Sequence, residues 1–316
     1  MATSATRPLA ARTLLLLPAY SALFGGAYFA EWLRVHGYPP LLSTGVQFVA
    51  LGVLAWVAGM FLRRALRRAH HQALATHREL PPQLAPTACD WLISAACGLL
   101  VVTVPAGATS VTLARLPISV VVTAAIAGQC WRRVLAARLP SWWQAVATAC
   151  SLAALGLLAR SPDVGGWRMA VVLLGGALVG RMGSIIWRAA VSHPHHQVMS
   201  IAWLVGGAAL LLVGRHQGEL WAWGPRRATL ALFAPLVVLT LLIGLGWLNR
   251  RPHLAIVCRA SAGMLALVLL GGRFWLGDRL QQVTWLAIGL TMVAALVDPG
   301  DLRDDGRAVT RATDRM

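Results

Sequence analysis

The segment Ile256–Gly272, IVCRASAGMLALVLLGG, holds one charged residue, Arg259. Two more arginines sit in comparable surroundings: Arg181 in GALVGRMGSIIW and Arg115 in SVTLARLPISVV. A guanidinium is a planar fork of five N–H donors that matches a carboxylate or phosphate, so these arginines are candidate ligands for an anionic group. The competing reading is snorkelling, in which the long side chain carries its charge to the edge of the apolar zone. Arg259 lies within about 12 Å of Arg251 at helical rise, and Arg181 is equally close to Arg188.

The acids do not supply obvious counter-ions. Glu31, Glu79, Asp90, Asp163, Glu219 and Asp278 lie near the ends of apolar runs or between them, and five more follow from Asp298 onward. Positive charge in apolar segments without a buried carboxylate suits an anionic or zwitterionic ligand. Glu31, near the end of the first run, is the candidate for moving a proton; its alternative is an interfacial residue beside Arg34. Tyr20, Tyr28, Gln47 and Trp203 lie inside apolar runs. They are candidates to hydrogen-bond or stack on a ligand, or else to pack with one satisfied polar atom. His70, His71 and His77, with His193, His195 and His196, form two loop clusters. No cysteine or carboxylate completes them, so no metal is expected there. No cofactor motif occurs.

The elements that must carry these residues are transmembrane helices. Hydrophobic residues make up 58% of the 316 and charged residues 12%, about half of what a soluble domain carries. Mean hydropathy is +0.65. All 28 basic residues are arginine, and the formal net charge is +17. In a soluble protein that charge would suggest nucleic acid. Here the arginines fall mostly between apolar runs, so nucleic acid is not an expected partner and the lipid bilayer is. Cys89, Cys97, Cys130, Cys150 and Cys258 form no CxxC pair and read as small packing residues.

Ten runs are long enough for a bilayer core of about 30 Å: 13–33, 41–61, 89–107, 111–131, 142–160, 168–188, 198–214, 228–248, 253–274 and 281–298. The first could be read as a signal peptide, but its length and the total favour a retained span. The longest connection, 63–87, is polar and arginine-rich, with a Pro81–Pro82 break. The tail 299–316 is expected to be disordered and cytoplasmic. With both termini inside, seventeen arginines fall on the inner side and eight, including Arg34, on the outer side, as the positive-inside rule prefers. Tryptophans such as Trp32, Trp142, Trp143, Trp167 and Trp187 flank the runs as interfacial anchors.

Five runs precede Pro162 and five follow it, so two halves, 1–160 and 161–298, insert with opposite orientation, as inverted transporter repeats do. Phe24-Gly25-Gly26 echoes Met182-Gly183-Ser184, and RVLAARLPSWWQAVATACSLAALGLLA echoes GRFWLGDRLQQVTWLAIGLTMVAALV. Aligning Arg138-Leu139 with Arg279-Leu280 sets Arg259 opposite Ile118, one turn from Arg115. Close-spaced glycines, Gly176 and Gly180, Gly206-Gly207, and Gly244 and Gly246, suit close helix packing.

Gly277-Asp278-Arg279-Leu280 followed by Gly289, the SALFGGAYFAEWL opening of the first run and Pro117 in the fourth resemble the drug/metabolite transporter superfamily, in its ten-span EamA-like branch. The resemblance implies an all-α bundle of ten transmembrane helices in two inverted five-helix repeats. It implies a central cavity lined by spans 1, 3, 4, 6, 8 and 9, which places the spans of Arg115, Arg181 and Arg259 beside it. It also implies a secondary transporter working by alternating access, more often an exporter, of small polar metabolites in the inner membrane. Two other classes stay open: a lipid-phosphate flippase or other lipid-handling membrane protein, and an accessory protein with a packed centre. Enzymatic chemistry is not expected.

Overall fold

The computed structural model describes residues 7–75, 87–130, 142–190, 196–222, 225–235, 237–238, 241 and 254–297. All regular structure among them is helical: α1 (Arg7–Val35), α2 (Pro40–Ala75), α3 (Ala88–Leu113), α4 (Ile118–Cys130), α5 (Trp142–Arg160), α6 (Trp167–Ala190), α7 (His196–His216), α8 (Arg226–Leu232), α9 (Leu254–Gly271) and α10 (Gln282–Val297). Segments of α2 (Pro40–Phe61), α3 and α5 are long and apolar enough to cross a membrane; shorter apolar stretches occur in α4, α6, α7, α9 and α10. The tail 299–316, His77, His193 and His195 lie outside the described residues, as do the side chains of His70, His71 and His196.

Helix ends follow local chemistry. α5 starts at the Trp142–Trp143 pair and ends at Arg160, as the sequence indicates. α2 runs past the apolar stretch to Ala75, because Arg63–Ala75 is rich in Ala, Leu and Arg and no breaker intervenes. That corrects the expectation of a loop from residue 63. α3 holds a π-helical turn at Gly98–Thr103 and continues to Leu113, six residues beyond the expected end. Pro117 then sets the boundary, since the residue before a proline avoids the helical region. Arg115 is therefore not inside a span. It is exposed in the turn between α3 and α4, with its backbone N–H on the Thr112 carbonyl at 3.0 Å. The turn after α5 is a single 3₁₀ turn, Pro162–Val164, closed by Gly165 at φ 68° and Gly166 at φ 105°, conformations that side-chain-bearing residues resist.

By packing, the chain divides into two compact units, and each takes segments from both halves of the sequence. The first comprises 1–33, 112–175 and 233–316. At its centre is α4, where Ile118 to Ala127 is buried on nearly every side. α5, α9 and α10 pack on it, and α5 and α10 pack on each other. A helix that is apolar all round belongs in such a place. α1 crosses α9 closely: a side chain at Gly263 would meet the Ser21 hydroxyl, and one at Gly271 would meet the Phe29 ring. The Ser21 hydroxyl donates to the Leu17 carbonyl at 2.9 Å and is placed 3.0 Å from that of Ala260.

The second unit comprises 34–111 and 176–232. Its largest contact is between α2 and α7. Gly207 lies against the backbone of Gly45 and Val49, and Gly206 against Gly98 and Val102, so α7 is clasped by α2 on one side and the π turn of α3 on the other. The Thr103 hydroxyl donates to the Gly206 carbonyl at 3.1 Å. Helix association inside lipid relies on such small-residue contacts, because apolar side chains gain nothing by leaving the tails.

Candidate functional site

The residue that sequence reading missed is Arg34. It was expected among the outer loops; it is instead in the last turn of α1 and 0% exposed. Its Nη1 donates to the Pro40 carbonyl at 3.3 Å and to the Ser43 hydroxyl. Its Nη2 donates to the Thr44 hydroxyl at 2.7 Å and the Ser110 hydroxyl at 3.2 Å. Each hydroxyl in turn faces a carbonyl one helical turn back: Ser43 with Pro39, Thr44 with Pro40, Ser110 with Ala106. The fork thus fastens the last turn of α1 to α2 and α3, and its charge favours a helix C-terminus. The available signal was the Ser43-Thr44 pair just beyond a four-residue connection; Ser110 is too distant in sequence to read.

Four acids, Asp90, Asp163, Glu219 and Asp278, occupy helix starts. Asp90 forms a capping box with Thr87 at α3. α2 begins after Pro39, which has no side chain able to cap, and Glu219 accepts from the Leu41 and Leu42 N–H groups at 3.2 and 2.8 Å. In the first unit, Asp163 accepts from the Gln281 N–H at 2.9 Å and from the Thr284 hydroxyl at the start of α10. α4 begins after Pro117, and there Asp278 accepts from the Ser119 hydroxyl at 2.9 Å and from its backbone N–H. These carboxylates compensate the positive end of a helix dipole and satisfy N–H groups with no partner of their own. Removing the Glu219 acceptor with Glu219→Ala should cost about 1 kcal/mol, and Glu219→Gln less, in thermal unfolding; equal Tm values for all three proteins would show that the cap contributes nothing.

The residues singled out from sequence divide between the units. Tyr20, Tyr28, Glu31, Arg115 and Arg259 belong to the first, and Gln47, Arg181 and Trp203 to the second. Tyr20 is 4% exposed, packed on Ala260 and stacked on Phe24 at 6.2 Å between ring centroids. Tyr28, Glu31 and Trp203 are half-buried. Gln47 is 6% exposed and its amide donates to the Leu232 carbonyl at 3.3 Å. Arg181 and Arg259 lie on α6 and α9, but their side chains are outside the described residues. Tyr38, also unanticipated, is buried, with its hydroxyl 2.8 Å from that of Thr229 and its ring against Trp221. Among the described residues, no three His, Cys, Asp or Glu side chains gather as a metal-binding group.

No family model matches the chain. Three Escherichia coli proteins, from strains K12, O6:H1 and O157:H7, each bear the name "Uncharacterized inner membrane transporter YedA". Each is 27% identical to this chain over 304 residues, which cover 89% of the chain and 90% of the relative. The likeness therefore spans nearly the full length of both, and the helical pattern of this chain is what an inner-membrane protein requires.

Proposed function

We propose that this protein is a secondary transporter, and specifically an exporter of a small polar metabolite that is anionic or zwitterionic and amino-acid-like. The observation that carries the reading is the near-full-length similarity to proteins named as inner membrane transporters, in a chain whose described elements are all helical. It sits in the inner membrane with both termini cytoplasmic, on the strength of the arginine distribution. The halves 1–160 and 161–298 act as inverted repeats of the EamA-like kind that alternate access to a central cavity between them. The helix pairs α2–α7, α4–α9 and α5–α10 support this, since each joins helices five places apart along the chain. Arg259, with Arg181 in support, supplies the positive charge that holds the substrate. Tyr20, Tyr28, Gln47 and Trp203 complete its surroundings, and Glu31 carries a proton.

Thermal-shift screening of the purified protein tests this. Amino acids, organic acids, sugar phosphates, cations and short-chain phospholipids would be compared on wild type and Arg259→Gln. A true substrate at a hundred times its Kd stabilises by about 2.7 kcal/mol. Stabilisation by an anionic or zwitterionic solute, lost in Arg259→Gln, is the expected result. A response to cations alone would remove the anion site. A response to phospholipid alone would favour the lipid-handling reading.

A further inference from the structure

We propose that Asp278 is a proton-binding site that controls the cap on α4: charged, it ties the first turn of α4 to the α9–α10 connection, and protonated, it releases that turn. The inference is independent of the transporter reading, because it concerns the empty protein.

The geometry has three parts. First, Asp278 reaches across 159 residues of sequence to Ser119, which is buried at the start of the most enclosed helix of its unit. Pro117 offers that helix no cap of its own, so the carboxylate is the acceptor for the Ser119 hydroxyl and N–H. Second, Asp278 follows a change of backbone course. α9 ends in a π-helical turn, Gly272–Leu276, and Gly277 takes the left-handed conformation at φ 73°. The Asp278 N–H then returns to the Gly272 carbonyl at 2.9 Å. Third, the carboxylate lies directly on Gly272, where an added Cβ would fall 2.7 Å from its Oδ2 and 3.0 Å from the Ser119 hydroxyl. The absence of a side chain at 272 is what lets aspartate and serine meet.

The surrounding charges favour titration. Asp163, from the α5–α6 connection, faces the same group and repels its charged form. Arg273, in the π-helical turn, directs its Nη1 to the Asp278 backbone carbonyl at 3.3 Å. Arg279 beside it and Arg115 before α4 are exposed. Burial pushes the Asp278 carboxyl above the ordinary carboxylate range, the Ser119 bonds pull it back, and Asp163 adds to the rise. The folded state therefore holds the proton more firmly than the unfolded chain. For global unfolding this favours the protonated form. The Ser119 bonds, however, lower the carboxyl only while the turn is capped, so with Asp278 still buried the capped turn binds the proton less firmly than the released turn, and acidification favours release. A neutral carboxyl is also the poorer partner for a helix N-terminus, which connects protonation to release of the turn.

Hydrogen exchange of the full-length protein in lipid nanodiscs tests the proposal. Protection of residues 118–121 is followed against pH, after division by the intrinsic exchange rate, in wild type, Asp278→Asn, Asp163→Asn and Ser119→Ala. In wild type, protection should fall roughly five-fold on acidification, with a midpoint above the ordinary aspartate range. Asp278→Asn should show no transition. Asp163→Asn should move the midpoint down, and Ser119→Ala should move it up. If Asp278→Asn does not fold, the opposite shifts of the other two variants still decide. No transition in wild type, a transition that survives Asp278→Asn, or midpoints that do not move apart would overturn the proposal.

Discussion

Arg34→Met should lower the thermal stability of the protein by on the order of 3 kcal/mol, while Arg34→Lys should recover only part of that. A bond from a charged donor contributes about 1.5–3 kcal/mol, and Arg34 makes four to the Pro40, Ser43, Thr44 and Ser110 oxygens. Methionine fills a similar volume, which limits the effect of an empty space. It removes the guanidinium donors from the Ser43, Thr44 and Ser110 hydroxyls, the last two retaining the 2.6 Å bond to each other, in a place that water does not reach. The full loss is below the sum of the bonds, because removing the guanidinium also removes the cost of burying it. Lysine keeps the charge but is a point donor on a flexible stem and cannot serve both sides of the fork. Unfolding followed by intrinsic tryptophan fluorescence in detergent is the measurement. An Arg34→Met protein with an unchanged midpoint would mean that the network adds no net stability.

Gly98→Ala should be almost as damaging, at about 1–3 kcal/mol, and Gly289→Ala should be neutral or slightly stabilising. A Cβ at Gly98 would sit 2.5 Å from the Ala202 carbonyl oxygen and 2.9 Å from its Cα. Both are backbone atoms of α7, so relief requires the helices to separate. Separation would also open the Thr103–Gly206 bond and the contact of Gly206 on the Gly98 carbonyl. Gly289, in contrast, has nothing within 4 Å of the same position. Alanine there gains helix propensity of up to about 1 kcal/mol. Parallel melting of the two variants separates close packing from a general dislike of extra bulk. Equal shifts would refute the assignment of α3–α7 as a close-packed pair.

The helices were legible where composition changes sharply. Trp142 and Arg160 bracket an uninterrupted apolar run, and α5 occupies that run. The α3–α4 boundary was harder, because apolar residues continue on both sides of Arg115 and only Pro117 marks the turn. That single misplacement turned an exposed arginine into an expected buried one. The reverse error occurred at Arg34, which falls just past the first apolar run and was therefore counted on the outer side. Its burial depends on hydroxyls at 43, 44 and 110, and periodicity carries no record of such partners. The acids were hidden for the same reason. Glu219 and Asp278 each cap a helix more than 150 residues away, because Pro39 and Pro117 leave those helices without a local cap. A proline at a helix start with no Ser, Thr, Asp or Asn before it is the trace that a sequence retains of a borrowed carboxylate.

The interleaving of segments has a consequence for how the protein is made. When synthesis has passed Leu232, every residue of the second unit exists, whereas the first still lacks α9 and α10. α4 and α5 must wait in the bilayer for partners that leave the ribosome last. During that interval the start of α4 has no Asp278, and Asp163 has no α10 to cap. The final stretch of the nascent chain thus completes the older unit, and a ribosome that stops early releases a protein with one finished half and one unfinished half.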